Sequence, residues 1–204
     1  MALDSTTITA LEKGSLVLRD FVVISGKDSE GDPATFAFWT GEDNVTVNVV
    51  SATDGGTDSR DFIGGGAWPI EGVPPIVDTI GIEVRTLDVE LSQIHPSVLN
   101  MVNGNNIRHA VVEFFRGVFN PATFALVSTP FARFLGRIDA APRSTPAVGG
   151  TGSQKITMVS DAVDLTRINP ALKSDESQKL RSADRFFRYA DTAGQFERRW
   201  GQVS

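Results

Sequence analysis

The stretch Ile80-Gly81-Ile82-Glu83-Val84-Arg85-Thr86-Leu87-Asp88-Val89-Glu90-Leu91 decides the fold class. Ile80, Ile82 and Val84 alternate with other residues on one phase, and Leu87, Val89 and Leu91 on the opposite phase. A period of two marks a half-buried β-strand, because successive side chains leave the backbone on opposite faces. A change of phase between Thr86 and Leu87 needs one extra residue, so a bulge or sharp bend is expected there. Long bent strands of this kind belong to small barrels and sandwiches.

Working outward, the same periodicity recurs. Leu16, Leu18, Val22 and Ile24 predict a strand with a bend near Asp20-Phe21, and Thr35-Phe36-Ala37-Phe38-Trp39 predicts its hairpin partner across the polar tip 26–33. Val45, Val47 and Val49 predict a third strand. Residues 108–119, with Ala110, Val112 and Phe114 on one face, turn at Asn120-Pro121-Ala122-Thr123 into Phe124-Ala125-Leu126-Val127; further strands are expected over 131–138 and 155–163. Residues 140–153 read as a long hairpin loop. A capped N-terminal helix is expected over 4–12, stopped by Gly14, and one or two helical turns over 96–102. Eight or nine short strands with turn signals every dozen residues argue a mainly β protein, a small barrel or sandwich with one or two short helices. The reading is one β-rich domain over 1–204, or two β-modules (about 1–75 and 76–204) sharing a core. No internal repeat is present.

Residues 51–66 hold five glycines and three aspartates without apolar periodicity, so they are expected to be mobile or ordered by a partner. Pro69, Pro74 and Pro75 bar a central strand or helix after them. Gly64-Gly65-Gly66 precedes Trp68-Pro69 and follows no Val/Ile-rich strand, which suits a hinge rather than a phosphate cradle.

Bulk properties narrow the function. The 204 residues carry a net charge of −6, and the first 60 hold ten acids against four bases, so that third accounts for the whole imbalance. No basic stripe runs through the chain, and direct nucleic-acid binding is not expected. No apolar run reaches the ~18 residues of a membrane helix, so no membrane span is expected, and no secretory signal opens the sequence. The absence of cysteine rules out disulfides, thiolate metal sites and cysteine nucleophiles.

Catalytic motifs are equally sparse. His95 precedes a proline and His109 sits beside Arg108, with no Gly-x-Ser-x-Gly elbow to support a serine nucleophile. The acidic sets Asp28/Glu30/Asp32 and Asp54/Asp58/Asp61 fail the EF-hand pattern for want of a closing Glu, and read as solvated turns. No enzyme activity, no cofactor and no metal are expected.

The C-terminal stretch, designated an assembly tail from about residue 169, is different. Over residues 173–199, seven bases stand against five acids, leaving +2 in an acidic chain. Arg181, Arg185 and Arg188 would share one helical face, with Phe187 and Tyr189 turned away from it and Phe186 and Phe187 facing opposite ways. Arginines mixed with Phe186, Phe187, Tyr189 and the closing Arg199-Trp200 are the composition of a subunit contact. The competing explanation is that these aromatics fill their own domain's core.

Four segments carry a resemblance. Leu91-Ser92-Gln93-Ile94-His95-Pro96, Asn120-Pro121-Ala122-Thr123, Phe134-Leu135-Gly136-Arg137-Ile138-Asp139 and the ending Asn169-Pro170-Ala171 with Arg181-Ser182-Ala183-Asp184-Arg185-Phe186-Phe187-Arg188-Tyr189 resemble the baseplate or tail-tip hub proteins of long-tailed bacteriophages and gene-transfer agents. The likeness covers about 36–201; the family's usual strand before Trp-Gly is here the more basic Phe196-Glu197-Arg198-Arg199. It implies a structural virion protein at the tail tip, assembled in the host cytoplasm as a ring, with a homotrimer as the implied oligomer. The implied neighbours are other tail proteins: the distal tail ring, the tape measure, and a central spike or fibre. The alternative is a carbohydrate- or receptor-binding β-sandwich of the tail tip, for which an exposed Trp39, Trp68 or Trp200 would be the stacking platform. A cell-wall or glycan hydrolase is a third, weaker reading.

Overall fold

A computed structural model describes residues 4–69, 74–76, 83–144, 147–148, 152–166, 174–189 and 192. The chain divides into two compact units, Met1–Leu165 and Thr166–Ser204. The protein is mainly β, and the larger unit is built on a curled, half-barrel antiparallel sheet.

Helix α1 (Ser5–Lys13) opens the larger unit, capped by the Asp4 carboxylate and stopped at Gly14 in the left-handed conformation. The strands that follow are β1 (Val17–Asp28), β2 (Pro33–Trp39), β3 (Val45–Val50), β4 (Thr57–Phe62) and β5 (Thr86–Ser92). After α2 (Pro96–Gly104) come β6 (Asn105–Phe119), β7 (Phe131–Ala140), the two-residue β8 (Arg143–Ser144) and β9 (Ser153–Ser160), then the short α3 (Ala162–Thr166). The main sheet runs β2-β1-β6-β7-β9-β5, with β8 beside β9, and β3 and β4 form a separate two-stranded sheet. Strands from both sides of residue 75 therefore pair within one sheet, β1 lying against β6.

The central pair β1–β6 is covered on both faces. Val22, Ile24, Val112 and Phe114 enter one core with Trp68, Leu91, Met101, Ile138, Ile156 and Met158. Phe21, Val23 and Phe115 enter the other, under Val47, Val49 and Phe62 of the β3–β4 hairpin. This double burial corrects the bend expected near Asp20-Phe21. Phe21 to Ile24 are four consecutive buried residues of one continuous strand. A strand buried on both sides has no reason to alternate, and the run mimics a break in phase. Where one face meets water, alternation survives, as in β5 and β9.

The decisive stretch of sequence is met in part. Strand β5 begins at Thr86, where the phase changes, and Leu87, Val89 and Leu91 are buried. Ile80 and Ile82 lie outside the described residues, whereas Val84 is exposed and residues 83–85 are not strand, so the expected strand does not extend back through them.

Residues 51–66 also need correction. They contain β4, which pairs along its whole length with β3, from Val45↔Phe62 to Val50↔Thr57. Only Phe62 of β4 is buried, so the strand carries no apolar alternation to read. Beyond it, Ile63 exchanges backbone hydrogen bonds with β2, donating to Ala37 at 2.9 Å and accepting from Trp39 at 3.1 Å. The hairpin is thereby stitched to the edge of the main sheet.

Gly136 shows how tightly the sheet is packed. A Cβ there would lie 2.4 Å from the Val159 carbonyl oxygen and 2.7 Å from the Phe134 ring, which folds across the glycine. Only glycine fits between the ring and the neighbouring strand.

Candidate assembly surfaces

The smaller unit carries the tail residues. Helix α4 (Asp175–Lys179) starts at Ser174, whose hydroxyl accepts from the Ser177 N–H. It stops after five residues, and Ser182 and Ala183 follow with φ of 55° and 58°. Two successive non-glycine residues in the left-handed region end any helix, because each puts its Cβ against the following carbonyl. The single arginine face expected for Arg181, Arg185 and Arg188 therefore does not form. Instead Arg185 turns back on Asp175, donating from Nη2 at 2.5 Å and from Nε at 3.4 Å. That hydrogen bond holds the Asp175 carboxyl below the usual carboxylate range and raises the Arg185 guanidinium.

The described aromatics of this unit do not fill a core in it. Phe186 is 80% exposed, Tyr189 66% and Leu180 90%. Phe186 and Phe187 do not face opposite ways; their rings meet edge-to-face at 5.2 Å, with Phe187 half-buried. The Arg188 guanidinium lies 5.4 Å from the Tyr189 ring centroid. Arg181 is exposed. Arg199 and Trp200 lie outside the described residues.

The larger unit shows a second surface, which sequence reading missed. The segment after β6 is a closed turn rather than the start of a strand. Asn120 accepts from the Phe124 N–H at 2.8 Å and donates to the Ala125 carbonyl at 2.9 Å, while its side chain accepts from the Ala122 N–H. Only a single bridge, Phe119↔Leu126, continues the pairing. Phe124 stands at the tip with φ 52°, 69% exposed. A bulky residue held in the left-handed region costs roughly 1–3 kcal/mol, and here the outcome is a phenyl ring presented to solvent. A groove of about 460 Å³ lies on one side of it, lined by Val17, Arg19, Trp39, Glu42, Asp43 and Phe119. A second of about 430 Å³ runs along Val45, Val47 and Leu126 on the other. The sequence signal that could have located this surface is the Asn120-Pro121 turn ahead of an aromatic.

Glu113 fixes the hairpin beside these grooves. Its carboxylate is buried on β6, and Oε1 accepts from the Ala52 N–H at 2.7 Å, the Ser51 hydroxyl at 3.0 Å and the Thr53 N–H at 3.2 Å. A buried carboxylate is tolerated only when its oxygens are hydrogen-bonded in this way. The loop 51–56 is thus hydrogen-bonded to the body of its own chain. Within it the Gly56 N–H, bound to the Asp54 carboxylate, holds that group below its ordinary pKa.

The remaining candidates are structural. His95 caps α2, its Nδ1 accepting from the Ser97 N–H at 3.3 Å. His109 is exposed on a four-residue bulge of β6 opposite Gly26, with φ 61°. Among the described residues no group of three or more His, Cys, Asp or Glu could hold a metal ion. No described helix is long and apolar enough to cross a membrane. Trp68 is 1% exposed and packs edge-on against Phe114 at 5.5 Å, which removes it as a stacking platform. Trp39 stacks on Phe21 at 5.5 Å and Phe119 at 5.9 Å, and a Cβ on Gly41 would lie 2.1 Å from its ring. The ring is thus packed within the protein, and its remaining exposed part lines the groove beside Phe124 rather than standing free as a platform.

No family model and no curated protein matched this chain.

Proposed function

We propose that this chain is a structural subunit of the tail tip or baseplate hub of a long-tailed bacteriophage or gene-transfer agent, acting by geometry rather than by catalysis. In this reading copies associate in a ring, a trimer by the resemblance, between the tail tube and the parts that touch the host. The distal tail ring, the tape measure and a central spike or fibre are its neighbours in the virion, after assembly in the host cytoplasm.

The observation that carries the reading is the tail unit. Leu180, Phe186 and Tyr189 are large apolar groups left 66–90% exposed beside Arg181 and Arg188. Exposed apolar groups clustered with arginine mark a contact surface rather than a finished exterior. The rigid β-body suits a subunit that must hold its shape under load.

Sedimentation equilibrium of the full chain across concentrations, joined to class averages of the purified tail tip, tests this. A closed small ring at the tip is the expected result. A chain that remains monomeric at every concentration, or one found elsewhere in the particle, refutes it.

A further inference from the structure

The groove beside Phe124 has a chemistry that matches the tail of the same protein. Its walls are aromatic, from Trp39, Phe119 and Phe124, and its rim carries the exposed carboxylates of Glu42 and Asp43 against the single cation Arg19. Such a site suits a segment with an aromatic body and a positive head. The tail unit presents that combination: Phe186 and Tyr189 exposed, Arg188 lying against the Tyr189 ring, and Arg181 exposed nearby. Among the described residues Arg185 is engaged by Asp175 and Lys179 by Glu176, which leaves Arg181 and Arg188 to meet the rim.

We infer that the groove between Trp39 and Phe124 of one copy receives the residue 181–189 segment of a second copy, with Phe124 as the central ridge of the contact. The inference rests on the subunit reading above and names the two surfaces that meet. Three observations support it independently of composition. Phe124 is held out of the protein in a strained conformation with grooves of about 460 and 430 Å³ on its two sides, each within the ~300–1,000 Å³ range of sites that enclose a ligand group. The rim and the tail have opposite charge, which steers and orients such a contact. Groove and tail are different patches, so the contact is head-to-tail, the kind that closes a ring when the rotation permits.

The test uses the full chain with p-benzoylphenylalanine in place of Phe124, mixed with ¹⁵N-labelled wild-type chain and irradiated. Cross-links from the light chain into heavy peptides spanning 181–189 are expected. Cross-links confined to the light chain itself, or to other segments of the heavy one, overturn the proposed contact. A charge-exchange experiment gives the second arm. Glu42→Lys with Asp43→Lys, and separately Arg181→Glu with Arg188→Glu, should each weaken self-association about tenfold or more, and combining all four changes in one chain should restore it. These residues are exposed, so melting curves should be unchanged. Unaltered association in both variants overturns the contact and leaves ring assembly standing, whereas a wild-type chain that never self-associates removes both.

Discussion

The body of residues 1–165 and the unit of residues 166–204 treat the same kind of side chain in opposite ways. In the body, Phe21, Phe38 and Phe62 are fully buried, and Phe21 meets Phe62 edge-on at 4.9 Å. In the tail unit, Phe186 pairs only with its neighbour Phe187 and remains 80% exposed. Aromatic content therefore says little about where a residue will sit. What separates the two is the number of sheet faces available to cover a ring: β1 and β6 have two, and the described residues of the tail, with five helical residues in α4, have none. Phe124 is the one described aromatic of the body that follows the tail's pattern, and it does so at a strained backbone position.

The largest effect should come from removing a ring between the two faces. Phe115 is 1% exposed in the core under the β3–β4 hairpin. Phe115→Ala should cost ~3–5 kcal/mol, lowering the melting temperature of the dilute chain by roughly 10 °C. A loss under about 1 kcal/mol would mean that the hairpin does not seal this core.

Next in size is Glu113→Ala, at ~2–4 kcal/mol. The substitution leaves the Ala52 and Thr53 N–H groups and the Ser51 hydroxyl facing an apolar gap. Hydrogen exchange should show β3 and β4 losing protection before the main sheet does. Simultaneous loss across both sheets would show that the hairpin is not held separately by this carboxylate.

How far these features could be read from the sequence follows the same division. Val45/Val47/Val49 and Leu87/Val89/Leu91 were legible because each strand has one buried face and a period of two survives. The run Phe21-Val22-Val23-Ile24 suggested a bend because burial on both sides erases the period. Strand β4 was hidden because its order comes from pairing with β3 and, through the loop before it, from Glu113 more than fifty residues away in the chain, which no local window contains. The arginine face of the tail failed at Ser182 and Ala183, two residues with ordinary right-handed preferences placed in the left-handed region. The Phe124 surface escaped because exposure of a phenylalanine is decided by the closed Asn120–Ala125 hydrogen bonds, not by its neighbours' polarity.

A smaller effect, with the opposite sign, is expected at Phe124. Asparagine tolerates the left-handed region better than phenylalanine, so Phe124→Asn should leave the dilute chain as stable as before, or up to about 1 kcal/mol more stable, while weakening assembly. A loss of monomer stability would assign the ring to its own fold. Phe186→Ala with Tyr189→Ala should be smaller still, within about 0.5 kcal/mol on the monomer melt, yet it should abolish association. A monomer destabilised as much as Phe115→Ala predicts would place these rings in a core and dissolve the contrast between the two units.

The smallest effect concerns the clamp that shapes the tail. Arg185 depresses the Asp175 pKa below its ordinary value of 3.8. A depressed carboxylate contributes stability that is fully present above its unfolded pKa and lost as pH falls through its folded pKa. The clamp should thus be indifferent to pH from neutrality down to about 5, and should open only below 3.8, where melting of the whole chain reflects many other carboxylates. Because the pair lies at the surface, salt screens it and a thermal melt will not resolve it. Carbon-13 detection of the Asp175 carboxyl at low salt will: it should titrate below the ordinary carboxylate range, and Arg185→Gln should move it back towards that range. Titration of wild-type Asp175 at the ordinary value would show that Arg185 is free in solution. Arg185 would then join Arg181 and Arg188 as a described tail arginine outside an ion pair. The body has two cores to fix its geometry, whereas the described tail is held by surface ion pairs of Asp175 and Glu176 with Lys179 and Arg185, so the same result would also show how much of the tail's shape must come from its partner.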